Sequence, residues 1–184
     1  MPPVVGVLAL QGDFEAHARL LRAYGAEPRE VRVPAELDGL DGLVIPGGES
    51  TVMTLGIERE GLAEPLRDLR AAGTPVLGTC AGLIMVDRDH LGLMDIRARR
   101  NAFGRQVRSF EEDLAVEGLE GAPMRAVFIR APWIEEAVEG VEVLASVDGH
   151  PVVARQGNVL VAAFHPELTD DPRLHGLFLE GVGR

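Results

Sequence analysis

Only one residue of the 184 offers a thiol. Cys80 lies in Gly78-Thr79-Cys80-Ala81-Gly82, after the apolar run at residues 75–78 and at the start of a helical pattern over residues 80–86. A nucleophile on a tight strand-to-helix turn, with glycines two residues to either side, is the layout of a nucleophile elbow. The helix amides and the positive end of its dipole favour a thiolate there. The amide of Ala81 would face the oxyanion formed on a carbonyl that Cys80 attacks. A lone cysteine without such glycines reads as a small buried hydrophobe.

A thiol nucleophile needs a base and a group that orients the base. Phe164-His165-Pro166-Glu167 follows the apolar run at residues 159–164. In extended chain, residues i and i+2 point to the same side, so Glu167 can hold one imidazole nitrogen of His165 while the other faces the thiol. The other histidines are weaker candidates: His17 is mid-helix, His90 in a charged loop, His150 in a hairpin and His175 in the last helix. A third piece, Pro46-Gly47-Gly48-Glu49-Ser50-Thr51, follows the buried run at residues 42–45. Its glycine amides suit an anion or an oxyanion, and the P-loop spacing and lysine are both missing.

These three pieces need a scaffold that brings strand ends together. Residues 4–10 form a short apolar run, and Phe14, His17, Ala18, Leu21 and Tyr24 then recur at helical spacing. Strands are expected at residues 30–33, 42–45 and 75–78, with helices at about 61–72 and 80–86. This alternation predicts a doubly wound, mostly parallel α/β sheet flanked by helices, with ligands at the carboxyl ends of its strands. Beyond Leu93, strand-like pieces at 105–110, 124–129, 141–147, 151–155 and 158–164 predict antiparallel additions in the C-terminal half. A helix at about 172–182 closes the chain. A length of 184 residues suits one domain, 1–184.

Composition narrows the chemistry. There are 18 basic and 29 acidic residues, for a net charge of -11, which argues against nucleic acid as a partner. All the basic residues are arginine, so no lysine Schiff base can form in this chain. One cysteine makes no internal disulfide, and no apolar run or amino-terminal leader pattern points to a membrane or to export. A cytoplasmic location is expected.

Taken together, the glycine turn, the G-x-C-x-G elbow and the late His-Pro-Glu resemble the triad-type, class I glutamine amidotransferases. Within that group the strings at residues 46–51, 78–84, 100–106 (Arg-Asn-Ala-Phe-Gly-Arg-Gln), 128–132 (Phe-Ile-Arg-Ala-Pro) and 164–169 are similar to those of the glutaminase subunits of pyridoxal 5′-phosphate synthase. The resemblance spans essentially the whole chain and implies a flavodoxin-like, class I amidotransferase-like fold. It implies hydrolysis of L-glutamine to glutamate and ammonia, with Cys80 as nucleophile, His165 as base and acid, and Glu167 as its support. It further implies that Gly48, Glu49, Ser50, Arg100, Ile129 and Arg130 line the glutamine site, and that Gly48 and Ala81 supply the oxyanion hole. No cofactor or metal is implied.

The same resemblance gives the ammonia to a barrel-shaped synthase subunit, which carries the reactive lysines. Gln11 would face that partner, and Gly47-Gly48 would act as a hinge when it docks. The stretch at residues 87–92 is shorter than in many relatives, with no catalytic position lost. Two other readings are open at this point: a glutaminase serving another ammonia-requiring synthase, and a non-catalytic amidotransferase-like binding protein.

Overall fold

The computed structural model describes residues 1–104 and 108–182. Its first half alternates as the sequence predicts: β1 (Val4–Leu8), α1 (Phe14–Ala23), β2 (Glu27–Val31), β3 (Gly42–Ile45), α2 (Ser50–Glu60), α3 (Ala63–Ala71), β4 (Val76–Thr79) and α4 (Ala81–Val86). The second half contains β5 (Ile96–Arg99), β6 (Ser109–Leu114), β7 (Met124–Ile129), β8 (Trp133–Ala137), β9 (Glu142–Val147), β10 (His150–Gln156), β11 (Val159–Ala162) and α5 (Arg173–Leu179).

Several boundaries differ from expectation. The strand expected at 30–33 runs instead over β2, because its register with β1 pairs Val4 with Glu27 and Leu8 with Val31. Helix α2 has no counterpart among the expected elements. Thr51, Val52, Thr54, Gly56 and Ile57 are weak helix formers, yet Glu49 caps its start by accepting from the amides of Thr51 (3.2 Å) and Val52 (2.9 Å). Strands β5 and β8 are also unexpected; each is short and carries charged residues, so neither shows a clean apolar alternation. Of the strand expected at 105–110, residues 105–107 lie outside the described residues, and β6 begins at Ser109.

The main sheet has seven strands in the order β2-β1-β3-β4-β11-β10-β9. Every pair from β2 to β11 is parallel, and β10 and β9 extend the sheet antiparallel. The other antiparallel strands form two separate ribbons, β5 with β8 and β6 with β7. Strands β3, β4 and β11 are buried along their whole length, as parallel strands covered on both faces must be. A tight turn at Asp148-Gly149, both with positive φ, joins β9 to β10.

Register decides where the site falls. Ile45 pairs with Gly78, and Ala162 pairs with Thr79. The chain therefore leaves β3, β4 and β11 at one edge, so the glycine turn, Cys80 and the His165 segment emerge side by side.

Candidate functional site

The elbow begins with backbone crowding. A Cβ on Gly82 would sit 1.9 Å from the carbonyl oxygen of Ile45, and one on Gly78 would sit 2.7 Å from that of Gly82. Both glycines are required by close backbone approach, which lets β4 turn directly into α4. Cys80 takes up the turn at φ 50° and ψ -109°, and its amide donates to the carbonyl of Ala162 at 2.8 Å. The cysteine is 6% exposed.

His165 is held from three sides. Its amide donates to Val127 of β7 at 2.8 Å, its Nδ1 lies 2.6 Å from Glu167 Oε1, and its ring faces the Cys80 sulfur. Gly47 closes over it, since a Cβ there would lie 2.6 Å from His165 Cε1 and 3.1 Å from Cys80 Cβ. Burial works against charge on His165. The hydrogen bonds and opposite charges of Cys80 and Glu167 outweigh it and push the imidazole up to about 10. Pro166 starts a short 3-10 turn that swings Glu167 behind the ring, where it is 2% exposed.

In front of the pair opens a cavity of about 460 Å³, a size typical of small-molecule sites. Gln11, Gly48, Glu49, Ser50, Cys80, Ala81, Arg100, Ile129, Arg130 and His165 all line it. These are all the site residues predicted from sequence except Glu167, which supports His165 from behind. Glu49 is more committed than a lining residue. Amides of Val52 and Thr51 hold its carboxyl below the usual carboxylate range, and Arg100 Nη2 lies 3.2 Å from its Oε1. Gln11 packs against the glycine turn, its Oε1 accepting from the Glu49 amide at 2.5 Å. Arg105 and Gln106 of the arginine-rich string lie outside the described residues.

Backbone strain gathers at the same place. Among the described residues, four non-glycine residues have positive φ, and three of them, Cys80, Asn101 and Arg130, border the cavity. Such conformations persist where the surrounding structure over-determines them, as it does in binding and catalytic sites. Asn101, Ile84 and Pro132 also line the cavity and escaped the sequence reading. Asn101 follows Arg100 directly in the string at 100–106, which was the available signal.

Of the remaining histidines, His90 binds Asp87 at 2.8 Å and His150 stacks on Trp133 with ring centroids 3.6 Å apart. His17 and His175 are different. Both are fully buried behind Glu167 and touch each other, His17 Nδ1 lying 2.9 Å from His175 Nε2. The signal for His17 was its place on the apolar face of α1, where a polar ring must find a partner. No group of three or more His, Cys, Asp or Glu among the described residues could hold a metal ion.

A cysteine, an imidazole and a carboxylate meet at the carboxyl edge of a largely parallel sheet, on a class I glutamine amidotransferase-like fold. Comparison with known proteins narrows this. Residues 7–184 match the SNO glutamine amidotransferase family, and the chain belongs to it. The chain is 54% identical over 189 residues to the pyridoxal 5′-phosphate synthase subunit PdxT of Frankia alni, covering 98% of this chain and 95% of that one. To the PdxT of Mycobacteroides abscessus it is 53% identical over 191 residues, covering 99% and 98%. A crystal structure of a glutamine amidotransferase superposes with TM-score 0.90 at 48% identity, covering 98% of this chain and 99% of that chain. A putative GMP synthase subunit from Thermoplasma acidophilum, 18% identical, shares the fold with TM-score 0.76, covering 98% and 94%.

Proposed function

We propose that this chain is the glutaminase subunit of a pyridoxal 5′-phosphate synthase, hydrolysing L-glutamine to L-glutamate and ammonia through Cys80, His165 and Glu167. The observation that carries this reading is the convergence of the three side chains, distant in sequence, beside a cavity of amino-acid size.

The reaction follows from the contact between Cys80 and His165. Cys80 attacks the side-chain amide carbon of glutamine as His165 takes the thiol proton, and the amides of Ala81 and Gly48 receive the oxyanion. His165 then gives that proton to the nitrogen as the C–N bond breaks, and ammonia leaves a thioester on Cys80. His165 then takes a proton from water, whose oxygen displaces the sulfur and releases glutamate. Glu167 keeps the imidazole oriented and balances its charge throughout. Arg100 and Arg130 suit the free carboxylate of the substrate, for which guanidinium groups and main-chain amides are good partners. Gly48, Glu49, Ser50 and Ile129 complete the lining.

The PdxT relatives are named as subunits of a synthase, and this chain has no lysine to bind carbonyl substrates itself. On this reading, as the family resemblance implies, the ammonia goes to a barrel-shaped synthase partner. Gln11, packed against the glycine turn, then lies in the interface with that partner, and Gly47-Gly48 is the hinge beside it, Gly48 standing at φ 149°. One buried cluster of apolar side chains drawn from both halves of the chain supports reading 1–184 as one amidotransferase domain. No helix of the described residues is long and apolar enough to cross a membrane, and we place the protein in the cytoplasm.

The test is glutamate release from glutamine, with and without a synthase subunit. A reactive glutamine analogue should label the single thiol, with release strongest in the complex. Glutamate formation that persists in Cys80→Ala with the partner present would overturn the mechanism.

A further inference from the structure

Glu167 is a buried carboxylate with two oxygens, and only one of them meets His165. Oε1 lies 2.6 Å from His165 Nδ1, whereas Oε2 makes no hydrogen bond among the described residues. The polar group aimed at Oε2 is His17 Nε2, at 3.4 Å, which also lies 3.3 Å from Thr79 Oγ1. His17 comes from α1 and His175 from α5, both fully buried. Burial, then the charges of His175 and His165, hold His17 well below the ordinary histidine range, and burial pushes His175 down to about 4. Both rings are neutral near pH 7, so each carries one N–H.

The neighbours decide where those hydrogens sit. With its hydrogen on Nδ1, His17 would turn an Nε2 lone pair onto the Glu167 carboxylate. His175, accepting at Nε2, would then bury an N–H at Nδ1, an atom without a partner. The opposite arrangement is attractive at each contact: His175 Nε2–H donates to His17 Nδ1, and His17 Nε2–H faces Thr79 Oγ1 and Glu167 Oε2. A distance of 3.4 Å exceeds an ordinary N–H···O bond, so the contact with Oε2 is one of charge with dipole, shared with Thr79. It lies in a dry region, where such contacts are screened least.

We propose that His17, oriented by His175, is a positioning residue of the triad: its Nε2–H anchors the outer oxygen of Glu167, so that the inner oxygen stays aligned on His165. The proposal rests on the triad reading above and assigns a use to two buried histidines that the hydrolysis itself does not touch. The groups facing His17 are Glu167 and His165 from the segment after β11, Thr79 from β4 and His175 from α5.

The experiment measures the rate of iodoacetamide alkylation of the single thiol against pH in the free chain, and kcat and KM for glutamine in the synthase complex. His17→Leu should slow alkylation at pH 7 and lower kcat about tenfold, with KM little changed, because the misaligned base is felt in the chemistry. His17→Gln, whose amide N–H reaches the position of Nε2, should restore most of both. His17→Asn, whose amide sits at the position of Nδ1, should not. A folded His17→Leu protein with the parent alkylation profile overturns the proposal. If His17→Leu does not fold, equal rates in the Gln and Asn variants overturn it instead. Failure of the triad reading shows separately, as a His165→Ala protein that alkylates and turns over like the parent.

Discussion

The two sides of His165 are built on opposite principles. In front, the cavity is lined by loop residues whose charged groups stay wet: Arg100 and Glu49 are each half exposed, and their ion pair contributes little by itself. Behind, Glu167, Thr79, His17 and His175 are at most 2% exposed and meet one another across four elements of the fold. A wet contact can be replaced by water when a partner leaves. A dry one cannot, and an orphaned group there costs its full desolvation. The front is therefore suited to admitting and releasing substrate, and the back to holding one geometry.

The sharpest test of this division lies at the boundary. Cys80→Ala should lower glutamate release by at least ~10³-fold, the loss expected when one member of a cooperating triad is removed. His165→Ala should match it, as measured by steady-state kinetics in the synthase complex.

Acid should find the back before the front. His175 is depressed to about 4 and His17 lies well below its ordinary value, so the unfolded chain binds more protons than the folded one between about pH 6.5 and 4. The stability that these two neutral histidines contribute is fully present above that window and falls as pH drops through it. At roughly 1.4 kcal/mol per pH unit, His175 alone accounts for about 3 kcal/mol. Urea unfolding at several pH values should show this loss, and His175→Gln should shrink it.

Glu167→Gln should cost activity on the order of 10²-fold, less than His165→Ala, because an orienting member is less critical than the base itself. The amide can present its oxygen to His165 only by turning its NH₂ toward His17, so the back wall loses one of its two contacts. A kcat loss as severe as that of His165→Ala would give Glu167 a different role.

The smallest effect belongs to the front. Arg100→Gln should raise KM for glutamine less than about tenfold and leave kcat nearly unchanged, since it removes a solvent-exposed contact made equally in ground and transition states. A large kcat loss would move Arg100 into the chemistry and erase the distinction between the two sides.

Much of the front was legible in local sequence. Gly78 and Gly82 announce the elbow because only glycine tolerates the carbonyls pressed against them. His165 and Glu167 were found together because two residues of extended chain share a side, although the 3-10 turn at Pro166 tucks Glu167 behind the ring. Helix α2 was missed because its start depends on the Glu49 cap and its composition on neither face declares a helix. Of the back wall only Glu167 was read from the sequence, and its two histidines were set aside. His17 and His175 stand 158 residues apart, and nothing in either segment reveals that α1 and α5 bury them against each other.

What the sequence alone determined was the candidate set of Cys80, His165 and Glu167, the strand ends that bear it and the alternating order of a parallel sheet, because turn glycines and apolar runs act over a few residues. What only tertiary structure decided was the pairing of β4 with β11, which puts Cys80 beside the His165 segment, and the closing of α1 and α5 behind Glu167. Those depend on register and burial between distant parts of the chain, where the energy comes from excluding water at contacts that no local pattern encodes.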